Sequence, residues 1–290
     1  TVIFLVLLTP FTMYVEWLSG LLALEPKMQI AFAHGSFNVA NTIIQFPLIG
    51  MWAMLVTKLI PGEERSVEYQ AKHLDPQMIQ ASPSLAIGQA KEEVVRTGEF
   101  AVESMREAFD YIHTGEEEHA EMARQIEDAI NHLDREITSY LVGISSMNIS
   151  PTDSKMHMLL LDTIRDIERI GDHADNIVGL TTSLHKKNKN GITSEAMHDV
   201  ETMFTLTIQT VEQAIRALQT NDIDLAEQVM KQEETIDRME REYRKGHIRR
   251  LREGSCSLEA GMVYVDIISN LERIGDHAVN IAEVVLGKRG

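Results

Sequence analysis

Along the first sixty residues the apolar positions run nearly unbroken, and beyond about residue 84 they recur at intervals of three and four. Thr1 to Leu24 contains one charged residue, Glu16, and Met28 to Ile60 contains one, Lys58. A helix rising about 1.5 Å per residue needs roughly 20 residues to cross a hydrocarbon core of about 30 Å. Both runs reach that length, so two membrane-inserted segments are predicted. The second run is too long for one straight crossing, and Pro47 with Gly50 predicts a kink or break inside it. The chain opens at Thr1 with neither a methionine nor a basic leader, which favours a truncated membrane domain over a signal peptide.

Pro61-Gly62 predicts the end of the second span. Glu63 to Pro83 is charged, carries Pro76 and Pro83, shows no sustained helical period, and reads as a linker. Beyond it Ile126, Ile130, Leu133 and Ile137, and then Ile164, Ile167, Ala174 and Ile177, mark helices with one apolar face. Breakers at His113-Thr114-Gly115, Asn148 to Pro151, Lys187 to Gly191, Gln219 to Asp222 and Glu253 to Ser255 divide the remainder into six long helices, three on each side of about residue 190. The two halves match. The string ERIGDH at Glu168 to His173 recurs letter for letter at Glu272 to His277, and Glu127 to Glu136 aligns with Glu233 to Glu242. The predicted fold class is all-α: two transmembrane helical segments over 1–60, a linker over 61–83, and two tandem three-helix bundles over 84–190 and 191–290.

Charge narrows the partners. Acidic residues number 44 against 27 basic, a formal net charge of −17 that repels phosphate backbones and excludes nucleic acid as an expected partner. Lys58, Arg65 and Lys72 follow the second apolar run closely, whereas the connector Glu25-Pro26-Lys27 is nearly neutral, so the positive-inside rule puts everything after about residue 61 in the cytoplasm. The single cysteine, Cys256, can form no internal disulfide and fits a reducing compartment.

The chemistry worth locating is carboxylate. Residues four apart share a helix face, so Glu168 with Asp172, Glu272 with Asp276 and Glu233 with Asp237 each present two acids to one side. Like charges at that spacing repel by a few tenths of a kcal/mol. They call for plentiful water, as on a solvated face, or for a cation, either the neighbouring Arg169 and Arg273 or a metal held by hard oxygen ligands from adjacent helices. Glu127 is followed by Asn131 rather than an acid, which predicts a poorer site in the first half. His173 and His277 sit about 100° round the helix from the second acid and are expected to make helix-helix hydrogen bonds. Gly171 and Gly275 predict close helix crossings, and Met156 and Met158 predict core packing. In the membrane run His34, Asn38, Asn41 and Gln45 form a polar stripe that faces protein or a water-filled path. No nucleophile-base pair and no phosphate-binding glycine loop points to an enzyme. Two ExxH strings, Glu116 to His119 and Glu195 to His198, admit a di-iron carboxylate reading, but they fall at helix starts in unequal repeat positions.

The doubled ERIGDH string, the ExxxD pairs and the two three-helix units resemble PhoU, a regulator of bacterial phosphate uptake, from Ser84 to Gly290. Upstream, the run from Gln29 to His34, with Phe37-Asn38 and Pro47, resembles the closing membrane segment of the Na+/phosphate cotransporter family, some of whose bacterial members end in a PhoU-like domain. The resemblance implies the C-terminal part of a sodium-dependent phosphate symporter of the bacterial inner membrane, with the PhoU-like domain regulating phosphate uptake from the cytoplasm. The Gln-Ser-Ser signature of that family's transport core does not occur here, so the sodium and phosphate sites are expected in spans that precede Thr1. The resemblance further implies an iron, zinc or manganese cluster at Glu168, Asp172, Glu272, Asp276, Glu233 and Asp237, with a weaker site at Glu127. Its implied partners are sodium, inorganic phosphate, the lipid bilayer, a regulatory protein and further copies of the chain. The alternative is a membrane-tethered, metal-binding adaptor of phosphate signalling that transports nothing itself.

Overall fold

A computed structural model of the chain describes residues 2–22, 25–59, 67, 69–187 and 192–289. It divides into two compact units, Thr1–Glu64 and Arg65–Gly290. In the first, α1 (Val2–Leu21) is followed by α2 (Pro26–Gln45), a 3-10 turn (Phe46–Leu48) and α3 (Ile49–Leu59). Pro26 starts α2 at a position where a missing N–H costs nothing, and Pro47 forces the 3-10 turn because it cannot donate to the helical ladder. The predicted break therefore falls within Phe46–Leu48. Among the described residues one stretch, Pro26–Val56, is long and apolar enough to cross a membrane, and none of it is buried within the protein. The predicted first span corresponds to α1, which touches α2 through an edge-on contact of Phe11 with Phe37. The stop predicted at Pro61-Gly62 lies outside the described residues.

The second unit contains α4 (Pro76–Ala81), α5 (Pro83–Thr114), α6 (Glu117–Ile144), α7 (Pro151–Lys187), α8 (Ser194–Thr220), α9 (Ile223–Arg252) and α10 (Leu258–Val285). Local chemistry sets the ends. Thr193, Asp222 and Ser257 cap helix N-termini by accepting backbone N–H bonds, and Gly115 (φ 67°) closes α5 in the left-handed region that glycine enters without strain. The breakers at His113 to Gly115, Asn148 to Pro151, Gln219 to Asp222 and Glu253 to Ser255 separate the six long helices; 188–191 fall outside the described residues. The periodic isoleucines deliver the core: Ile126, Ile130, Leu133 and Ile137 of α6 and Ile164, Ile167, Ala174 and Ile177 of α7 are all buried. Burial of each large side chain contributes about 1.5–3 kcal/mol.

Helices α5 to α7 form the first repeat and α8 to α10 the second, joined through α5 against α8 and α7 against α10. The two seams run antiparallel. His173 meets Asn270 whereas Asp166 meets Asn280, and Gly98 meets Ile215 whereas Phe109 meets Phe204. Gly171 sits at a close crossing, since a Cβ there would lie 3.0 Å from Ile130 Cδ1 of α6, a tight contact that Ile130 would have to relieve.

Two expectations are corrected. The stretch read as an aperiodic linker contains α4, and Val67, Ala71, Leu74, Met78 and Ile79 pack against the bundle, so its described residues, 67 and 69–81, form a docked strap. Its apolar residues are too few and too irregularly spaced to show a helical period, yet the bundle supplies the surface that buries them. Met158 stands 61% exposed, because residues two apart on a helix point about 200° round from one another and Met156 takes the inward position.

Candidate functional site

The sharpest carboxylate cluster lies where α9 crosses α10. Gly275 lets α9 approach, with Ile236 Cδ1 and Glu233 Cγ at 3.4 and 3.8 Å from where a Cβ would sit. That approach gathers Glu233, Asp237 and Asp276, whose carboxylate oxygens come within 4.8 Å of one another. Burial, then the charges of Asp237 and Asp276, push the Glu233 carboxyl up to about 7. Burial also raises Glu272, reinforced by Asp276, Asp237 and Glu240, and it raises Asp276, reinforced by Asp237. Local cations answer part of this charge: Arg241 donates to Asp237 at 3.0 Å and Arg244 pairs with Glu240.

The matching crossing of α6 with α7 holds Glu127, Glu168 and Asp172. Here the Asn131 amide donates to Glu127, replacing the acid of the second repeat with a neutral donor. Glu127 is raised by burial and by Asp175, Asp128 and Asp172, against the lowering Asn131 bond; Glu168 is raised by burial and by Asp172 and Asp134. Arg169 lies 3.6 Å from Glu168 and 3.5 Å from Asp172. The predicted ligands thus sort by repeat: Glu233, Asp237 and Asp276 converge with Glu272 beside them, while Glu168, Asp172 and Glu127 belong to the other crossing.

The donor set fits a cation. Carboxylates that hold their protons more tightly than usual because they are partly buried and sit in one another's field would be relieved by a bound metal, and an all-oxygen set suits manganese or iron better than zinc. Glu233, Asp237, Glu272 and Asp276 would hold it in the second repeat. One member of each ExxH string is engaged outside it. His119 bonds to Glu107 at 2.6 Å, and Glu195 pairs with Arg249 at 2.9 Å and Arg250 at 3.3 Å. The stripe of α2 satisfies itself within the helix, Asn38 lying 3.2 Å from His34 Nε2 and Gln45 donating to Asn41.

Between the repeats the two conserved-letter histidines stack, with ring centroids 5.8 Å apart. His173 Nδ1 meets Asn270 Oδ1 at 2.8 Å, and His277 Nδ1 meets Asp166 Oδ1 at 2.9 Å, the helix-helix bonds expected of them. Asp166 also accepts from Asn280 and Arg289. Burial pushes its carboxyl up, and the bonds from His277, Arg289 and Asn280 more than reverse this, holding it below the ordinary carboxylate value. Asp166 and Asn270 escaped the sequence reading although each stands two residues before its ERIGDH string, a register that would have found them.

Among the described residues the molecule carries one stretch long and apolar enough to cross a membrane, followed by a duplicated three-helix bundle with a carboxylate crossing in each repeat. The PhoU domain family matches residues 94–181 and 200–285, and the chain belongs to that family. It is 33% identical over 186 residues to "Phosphate-specific transport system accessory protein PhoU homolog 1" of Thermotoga maritima, covering 63% of this chain and 78% of that protein. It is 19% identical over 282 residues to "Putative inorganic phosphate export protein YjbB" of Escherichia coli K12, covering 97% of this chain but 52% of that protein, so it spans about half of YjbB's length. The crystal structure of PhoU from Pseudomonas aeruginosa superposes with a TM-score of 0.66 at 24% identity, covering 71% of this chain and 97% of that one, a likeness of fold.

Proposed function

We propose that this chain is the membrane-anchored, PhoU-bearing part of a phosphate transport protein, and that the bundle regulates phosphate movement across the bacterial inner membrane. One observation carries the reading: the likeness to YjbB runs through 97% of the chain, across the apolar helices and the bundle together, so their pairing is one shared architecture. In this reading α1 and Pro26–Val56 both insert, and Lys58 and Lys72 keep the bundle cytoplasmic. Sodium is the coupling ion, and sodium and phosphate bind in spans beyond this half of the protein. The bundle performs no chemistry. It shifts the populations of transport states, with manganese or iron at Glu233, Asp237, Glu272 and Asp276 as the signal. That a relative of greater identity bears the name of an accessory protein favours a second reading, a tethered adaptor acting on a separate transporter.

The test is phosphate flux in proteoliposomes carrying the longer protein with and without residues 65–290. The expected result is persistent sodium-dependent flux with an altered rate. Loss of sodium coupling in the deletion contradicts a purely regulatory bundle, and absence of flux in both forms favours the adaptor.

A further inference from the structure

The strap is held to the bundle by acids aimed at its backbone. Glu93, fully buried, accepts the Lys72 N–H at 3.0 Å and the His73 N–H at 2.9 Å, and it pairs with Arg96, which also donates to the Gln70 carbonyl at 3.2 Å. Glu136 Oε2 accepts the Ala71 N–H at 3.0 Å. The Tyr140 hydroxyl lies 2.9 Å from both the Asp75 carbonyl and Gln89 Oε1. Between strap and α6 these anchors leave a groove of about 730 Å³. Its apolar lining is Leu74, Pro76 and Ile79; its polar lining is His132, Arg135, Glu136 and Ser139, together with Gln70.

We propose that this groove binds a phosphate group that still carries a proton, either inorganic phosphate or a phosphomonoester, and that the bound group ties the strap to α6. The choice of anion rests on the phosphate reading above; the site itself rests on the groove. Arg135 is exposed and engaged in no ion pair among the described residues, and one helical turn on, Ser139 lines the same groove. A guanidinium with a hydroxyl and the Gln70 amide supplies the donors an oxyanion needs. Glu136 supplies the selectivity. Its Oε2 is committed to the strap, while Oε1 has only His132 Nε2 at 3.4 Å and keeps capacity to accept a hydrogen bond. A carboxylate there repels sulfate, which has no proton to give, and accepts the P–OH of hydrogen phosphate. His132, whose Nε2 lies 3.4 Å from the same carboxylate, and Tyr140, whose hydroxyl meets the Asp75 carbonyl and Gln89, are the other titratable groups lining the groove. The apolar wall leaves room for an organic substituent on the phosphate, which a lipid phosphomonoester would fill.

Hydrogen exchange of the full chain in nanodiscs of neutral lipid, read by mass spectrometry over 67–81 and 130–141, tests this. The probes are inorganic phosphate, short-chain phosphatidic acid, and sulfate at equal ionic strength. Phosphate at ten times its dissociation constant is expected to slow exchange in both segments by roughly tenfold. The protection should disappear in Arg135→Ala, and Glu136→Gln should admit sulfate. Protection by phosphatidic acid alone identifies the ligand as a lipid headgroup and still supports the site. Unchanged exchange with both phosphate probes, equal protection by sulfate in the unaltered chain, or protection that survives Arg135→Ala overturns it. Because the readout is local exchange, failure here leaves the flux test untouched, and failure there leaves this one standing.

Discussion

The two repeats share a six-residue string and the same three-helix path, yet their helix crossings differ in electrostatics. In the second, Glu233, Asp237 and Asp276 converge, and burial together with the charges of Asp237 and Asp276 pushes Glu233 up to about 7. In the first, Asn131 stands where Asp237 stands and quiets Glu127 with a hydrogen bond. At the seam the asymmetry reverses: the first repeat contributes the acid, Asp166, and the second contributes the amide, Asn270, so one histidine meets a carboxylate and the other a carbonyl oxygen. Duplication conserves backbone paths, while single acid-to-amide exchanges decide which copy carries charge and where.

The largest effect should come from the seam. Asp166→Ala leaves His277, Asn280 and Arg289 without their shared acceptor, and removing one partner of a buried charged network costs about 3 kcal/mol. Asn270→Ala, the same deletion in the other repeat, should cost about 1 kcal/mol. Denaturant unfolding of the two variants side by side measures the gap, and equal losses would mean that the asymmetry has no energetic consequence.

Metal affinity comes next. Manganese or iron(II) should bind the second repeat at least about tenfold tighter than the first, with Asp237→Asn abolishing the difference and Asn131→Asp raising the weaker site. Titration calorimetry would resolve two classes of site in the unaltered chain and one in Asn131→Asp.

Packing separates the crossings more gently. A Cβ on Gly171 would meet Ile130 at 3.0 Å, against 3.4 Å for Gly275 and Ile236. Gly171→Ala should destabilise by about 1 kcal/mol through crowding, whereas Gly275→Ala should be near neutral or stabilising by up to about 1 kcal/mol through helix propensity. Thermal melts of both variants check the order.

The smallest effect is a slope with pH. Glu233 binds its proton more tightly folded than unfolded, so folding takes up a proton between pH 4.5 and about 7. The metal-free bundle should gain stability as pH falls through that window, opposite to the behaviour of an ion-paired carboxylate. Unfolding midpoints taken across the window should show it, and Glu233→Gln should reduce it, the remainder coming from the other raised carboxyls, Glu272 and Asp276 among them.

Much of this architecture was legible in the chain. Isoleucines at three- and four-residue spacing, five breakers and a repeated string were enough for the six helices and their pairing, because an amphipathic period is a local property. The histidines' helix-helix bonds followed from their angular offset. Which acids meet did not: the six were grouped as one shell, and the structure sorts them by repeat, since spacing along a helix is silent on which neighbour it crosses. The strap was missed for the same reason. Val67, Ala71 and Leu74 have no period of their own and pack on the bundle, while the backbone of Ala71 to His73 is held by Glu93 and Glu136, acids about 20 and 65 positions distant in sequence.

The most direct test of the account is phosphate flux through proteoliposomes holding the longer protein while manganese is titrated on the bundle side. Flux should change as the second-repeat site fills and should lose that response in Asp237→Asn but keep it in Glu127→Gln. Flux that ignores manganese in the unaltered protein, or responds identically in Asp237→Asn, would contradict it.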